Sequence, residues 1–135
     1  MVEISMNILL VDDEQEILKI YKGIIQEVFP KVRVMAASDG LLALKCCGGS
    51  LKFSLILTDL QMPNMDGIAF IKALRSGGSV NKFTPAVLVS GYTSNTNDPS
   101  LASLGIHLLP KPVNFTDLVQ ICADSLGISP IQDLG

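Results

Sequence analysis

Three short apolar runs fix the architecture of this chain more firmly than anything else in it. They are Asn7–Val11, Leu55–Leu57 and Ala86–Val89. None alternates apolar with polar, so each must be buried on both faces, as the inner strands of a parallel sheet are. Between them lie segments whose apolar residues recur at helical spacing. Strand and helix therefore alternate along the chain. Right-handed crossovers then leave an open, doubly wound α/β sheet with helices on both faces as the economical fold.

The remaining elements follow from local pattern. Ile17, Leu18, Tyr21, Ile24, Ile25 and Val28 mark one face of a first helix that Pro30 closes, with Asp13 and Glu16 at the spacing of a capping box. Val32–Ala36 begins with alternation, which suits a strand covered on one face or at a sheet edge. Ser38-Asp39-Gly40 turns the chain into a second helix, Leu41–Cys47, stopped by Gly48-Gly49-Ser50. Ile68, Ile71 and Leu74 belong to a third helix, from about Asp66 to Gly77-Gly78, where Asp66-Gly67 reads as turn and cap chemistry. Residues 92–99 read as a polar loop, followed by a short helix to Leu104 with Pro99 in its first turn. His107–Leu109 is a brief last strand. Pro110-Lys111-Pro112 is a rigid turn, and Asn114 caps a final helix whose inward face is Phe115, Leu118, Val119, Cys122 and Leu126. The domain is expected to span 1–127, with 128–135 as a tail or the start of a linker.

Composition excludes several classes of function. The chain has 135 residues, 48% apolar and 17% charged, enough for one core and too apolar for disorder. Ten basic against 13 acidic side chains, with no basic run, leave no footprint for direct nucleic-acid binding. No apolar run approaches the roughly 20 residues that span a bilayer. The N-terminus lacks a secretory pattern, and the three cysteines have no metal-ligand spacing. Reduced thiols in a cytoplasmic protein are the expectation.

In an open parallel sheet, ligands bind beyond the carboxyl ends of the strands. The first apolar run ends at Asp12-Asp13, the third strand at Asp59, the fourth at Ser90, and the fifth leads to Lys111. Three carboxylates, a hydroxyl and an amine thus converge on one edge. Two carboxylates about 4 Å apart repel by roughly 4 kcal/mol at an effective dielectric near 20, so the cluster asks for a cation. An all-oxygen set open to solvent suits Mg²⁺. A carboxylate beside Mg²⁺, with Lys and Ser facing it, is equipped for phosphoryl transfer.

With these residues in place the chain resembles the receiver domains of bacterial two-component response regulators. The likeness rests on Val11-Asp12-Asp13-Glu14, Leu57-Thr58-Asp59-Leu60-Gln61-Met62-Pro63, Met65-Asp66-Gly67, Ser90-Gly91 and Lys111-Pro112, and covers about residues 7–126. The resemblance implies a flavodoxin-like (βα)5 fold with strand order 2-1-3-4-5. It implies that Asp59 accepts a phosphoryl group from a phosphohistidine of a sensor histidine kinase or histidine phosphotransfer protein. Asp13, Asp59 and the Gln61 backbone carbonyl would hold Mg²⁺ directly, and Asp12 mainly through water. Ser90 and Lys111 would bind phosphoryl oxygens, and the added charge would switch the Ser90 loop and the face from the fourth helix to the fifth. That face could also meet an effector domain, a downstream protein or a second copy. The domain would then be a phosphoacceptor and not an enzyme acting on other molecules.

One feature departs from the family pattern. Leu108 stands where receivers commonly carry Tyr or Phe, so switching is expected to run through the Ser90 loop and the fourth helix, with Leu108 as passive packing or His107 as a partial substitute. Tyr92 is expected to shield an aspartyl phosphate from water. The alternatives are a pseudo-receiver that binds partners without phosphate and a haloacid-dehalogenase-type phosphatase. The latter normally carries an acid where this chain has Gln61.

Overall fold

The computed structural model describes residues 6–91 and 99–129. Five strands, β1 (Met6–Val11), β2 (Val32–Ala37), β3 (Leu55–Asp59), β4 (Ala86–Ser90) and β5 (Ile106–Pro110), form one sheet in the order β2-β1-β3-β4-β5. Every pairing is parallel. Five helices connect and follow them: α1 (Gln15–Val28), α2 (Gly40–Cys47), α3 (Gly67–Ser76), α4 (Ser100–Ser103) and α5 (Phe115–Leu126).

The pleat of the central strands sorts their side chains into two cores. Ile8, Leu10, Leu55, Leu57, Val87 and Val89 face α1 and α5, where they meet Leu18, Ile25, Leu118 and Cys122. Leu9, Val11, Ile56, Ala86 and Leu88 face the other way, onto Phe70, Ile71 and Leu74 of α3 and Ala43 and Cys47 of α2. Both-face burial is thus why these runs lack alternation. At the β2 edge only Val32 and Val34 reach the first core, while Arg33 and Met35 are exposed. The thiols of Cys47 and Cys122 are free, and burial pushes both up to about 12.

Helix ends follow their local chemistry, with two corrections to expectation. Asp39 and Asp66 cap α2 and α3 through Leu42 N and Ala69 N. Pro99 is the N-cap of α4 and not part of its first turn. The Asp13–Glu16 capping box does not form. The N-cap of α1 is Glu14, which makes no side-chain cap bond, and Asp12 Oδ1 accepts from Glu14 N instead. Asp13 stands grouped with Asp12 and Asp59 at the strand tips. Phe115 was expected to face inward and is 51% exposed. It is the first residue of α5, and its ring lines an open cleft with Ile17, Ile20 and Val113 instead of reaching the core.

Asn114 Oδ1 accepts from both Thr116 N and Asp117 N, and Gly127 ends α5 in the left-handed conformation. Replacing Asn114 by Ala is expected to cost about 1 kcal/mol. In a domain of this size that is a fall in Tm of about 3 °C, readable by calorimetry.

Candidate functional site at the strand tips

The parallel sheet brings the expected groups to one edge. β3 delivers Asp59 as its last residue, and the main chain turns immediately because Leu60 N bonds Val89 O and Gly67 N bonds Leu60 O. Gly67 lets α3 start there. A Cβ on it would collide with the Asp59 carbonyl oxygen and lie 2.8 Å from Leu88 Cδ1. Asp12 is fixed at the tip of β1 by its own N–H on Ala37 O at 3.1 Å. Ser90 ends β4, and its carbonyl accepts from Lys111 N at 2.9 Å, which sets the lysine beside the site.

Asp13, Glu14, Asp59, Leu60, Gln61, Ser90, Gly91 and Lys111 line a polar pocket of about 170 Å³. Carboxylate oxygens of Asp12, Asp13 and Asp59 all lie within 4.8 Å of one another. Asp12 and Asp59 are buried, while Asp13 is exposed. Lys111 Nζ sits 2.8 Å from Asp59 Oδ1, the one ion pair among the described residues. All the candidate residues read from the sequence are therefore brought together: Asp12, Asp13, Asp59, Gln61, Ser90 and Lys111. Tyr92 lies outside the described residues. Leu108 is 43% exposed, so it is not packing in the interior, and His107 beside it is exposed too.

The charges do not balance. Three carboxylates face one ammonium. Burial raises Asp12 to about 6, with the Glu14 amide opposing the rise, Asp59 adding to it and Lys111 again opposing. Burial would lower Lys111, yet its hydrogen bond to Asp59 and the charges of Asp59, Asp12 and Glu14 outweigh that and raise it. Lys111 takes one Asp59 oxygen and Glu14 N takes one of Asp12. The second oxygen of each, and the Asp13 carboxylate, have no hydrogen-bond partner among the described residues. Hard oxygen donors with a net negative charge, half open to water, fit Mg²⁺.

A pH dependence follows from Asp12. Its value in the fold, about 6, lies above the 3.8 of the free side chain, so between pH 4 and 6 the folded state holds more protons than the unfolded. Stability in the absence of metal should therefore fall as pH rises through that window, by on the order of 2 kcal/mol from this group after solvent screening. Asp39, held low by the Leu42 amide and then by Asn64, acts with the opposite sign but only below about pH 4. Urea melts in EDTA from pH 4 to 7 check the slope, and Asp12→Asn should flatten it.

The sequence matches the family model described as response regulator receiver domain over residues 8–123. The chain belongs to the response regulator receiver domain family. Among solved structures, this receiver domain resembles the chemotaxis response regulator CheY4 of Vibrio cholerae. The TM-score is 0.76 at 28% identity, covering 90% of this chain and 99% of that one. It is 28% identical over 125 residues to the cyclic di-GMP phosphodiesterase response regulator RpfG of Xanthomonas campestris, covering 92% of this chain and 32% of that protein. With the transcriptional regulatory protein CpxR of Escherichia coli it shares 34% over 113 residues, covering 83% and 45%. The chain thus spans less than half the length of these two curated relatives. The receiver fold, with its parallel sheet in the order 2-1-3-4-5, places the protein in two-component signalling. Among the described residues no helix is long and apolar enough to cross a membrane.

Reading by sequence missed two supports of this receiver site. Gly67 carried no site role, although the carbonyl of Asp59 rests against it. The bond from Asn64 Nδ2 to Asp39 Oδ2, 2.8 Å, joins residues 25 apart. The Asp-Gly pairs at 39–40 and 66–67 were the available signal, but each also reads as an ordinary turn.

Proposed function

We propose that this receiver domain takes a phosphoryl group onto Asp59 from a phosphohistidine of a sensor histidine kinase or histidine phosphotransfer protein. The observation that carries the reading is Asp59 itself. It is a carboxylate at a strand tip with one oxygen on Lys111 Nζ and the other facing a polar pocket beside two further acids. In the transfer, an Asp59 oxygen forms a bond to phosphorus while the phosphorus–nitrogen bond of the donor imidazole breaks. The imidazole leaves with that electron pair. Lys111 keeps its proton and exchanges its carboxylate partner for a phosphoryl oxygen. The Ser90 hydroxyl donates to another phosphoryl oxygen.

Asp12, Asp13, Asp59 and the Gln61 backbone carbonyl would hold Mg²⁺, with Asp12 acting mainly through water. Bound there, the ion offsets the carboxylates and the charge on the equatorial phosphoryl oxygens. The added negative charge biases the Ser90 loop and the surface made by α4, β5 and α5 toward a second state, and an effector domain, a downstream protein or a second copy reads that surface. Residues 1–127 form the receiver, 128–135 a tail or the start of a linker. The domain is read as a cytoplasmic phosphoacceptor, catalysing only its own phosphorylation and dephosphorylation.

The test uses acetyl phosphate, a small phosphoryl donor. Intact-protein mass spectrometry should show one added phosphoryl group in Mg²⁺ and none in EDTA. A wild-type chain that gains no mass in Mg²⁺, under conditions where a control receiver does, would leave the pseudo-receiver reading in its place.

A further inference from the structure

The stretch Ala37–Gly40, at the end of β2 and the start of α2, touches both walls of the acidic pocket. Ala37 O accepts from Asp12 N at 3.1 Å, which holds the β1 tip. Two and three residues on, the same stretch holds the β3–α3 loop. Asp39 Oδ2 accepts from Asn64 Nδ2 at 2.8 Å, and Gly40 N donates to Met65 O at 3.2 Å. The approach is close, since a Cβ on Gly40 would lie 2.6 Å from Met65 O. Asn64 adopts a left-handed backbone, φ 69°, a conformation Asn tolerates better than other side-chain-bearing residues. Asp39 divides its carboxylate: Oδ1 caps α2 on Leu42 N and Oδ2 is given to the loop.

We propose that Asp39 and Asn64 are positioning residues for the cation site. Their hydrogen bond fixes the 60–66 loop against α2, and so fixes Gln61 relative to the Asp12-Asp13 tip. The inference rests on the functional reading above, which assigns the Gln61 carbonyl to Mg²⁺. Loops that carry a ligand through the backbone have no rotamer with which to recover a displaced oxygen. The tie therefore acts on affinity for the ion, and leaves the chemistry of Asp59 alone. Neither residue lines the pocket that would hold the phosphoryl group and the ion.

Two variants separate this role from a purely structural one. Asn64→Gly keeps the left-handed backbone accessible and removes only the side-chain bond. Asp39→Ser keeps an N-cap for α2 but is too short to reach Asn64. Mg²⁺ titrated calorimetrically into each should give a dissociation constant raised by about tenfold, at the low end of what outer-shell substitutions cost. Because both remove one bond, the double variant should be no weaker than either single one. Phosphorylation by acetyl phosphate at saturating Mg²⁺ should stay within about twofold of wild type, with its half-saturation in Mg²⁺ moved in step. Unchanged Mg²⁺ affinity in both variants overturns the proposal. So does a slower reaction at saturating metal without an affinity change, or a loss of metal-free melting temperature with affinity intact. A wild-type chain that binds no Mg²⁺ overturns this proposal and the functional reading together. A wild type that binds Mg²⁺ while the variants match it overturns this one alone.

Discussion

Asp59→Asn should abolish the Mg²⁺-dependent gain of a phosphoryl group. The amide is a far poorer nucleophile than the carboxylate and places no negative charge beside the metal. Losing the acylphosphate bond removes the product outright, so the expected residual is below detection by intact mass. The fold should survive, because the substitution is isosteric and relieves repulsion among three carboxylates crowded within 4.8 Å. It also costs Lys111 its 2.8 Å partner, an ion pair buried on the Asp59 side alone. These two effects oppose one another, and a net change in stability within about 1 kcal/mol is expected. A variant that still gains one phosphoryl group, at Asp12 or Asp13, would show that the site has been assigned to the wrong acid.

Gly67→Ala should do the most damage to the fold for the smallest change in volume. The new methyl has backbone on one side, the Asp59 carbonyl, and Leu88 Cδ1 at 2.8 Å on the other. Leu88 is fully buried and has little room to yield. The helix must therefore back away, and Gly67 N loses its bond to Leu60 O. Overpacking of this kind costs about 3 kcal/mol, which predicts a fall in Tm of roughly 9 °C by thermal melt. The strand tip moves with it, so phosphorylation should fall steeply as well. Gly49→Ala, where a Cβ meets nothing within 4 Å, should leave both readouts in place and serves as the control.

The contrast between these glycines shows which features a sequence carries locally and which it does not. The apolar runs announced the inner strands because burial on both faces leaves a mark on every residue of the run. Asp12, Asp59, Ser90 and Lys111 were legible for a related reason: each ends a strand or stands just past its end, so strand direction alone carries it to the same edge. What stayed hidden depends on contacts between distant segments. Nothing local distinguishes Gly67, pressed on Asp59, from Gly49, pressed on nothing. Phe115 has the spacing of an inward residue, yet α5 has only begun there and its ring falls in the cleft beside α1. Asp13 and Glu16 have the spacing of a capping box, yet the turn after β1 places Asp13 with the other acids, against their mutual repulsion.

The main-chain bond from Lys111 N to Ser90 O has a mechanical meaning. It laces the tips of β4 and β5 together directly behind the two side chains that face Asp59, as the bond from Asp12 N to Ala37 O laces β1 to β2 on the opposite flank. Hydroxyl and ammonium thus flank Asp59 on one side and the acids at the β1 tip flank it on the other, within one sheet whose β3 pairs with both β1 and β4. A displacement of either Ser90 or Lys111 is therefore passed to the other through a single main-chain bond, so the two groups approach or leave Asp59 together.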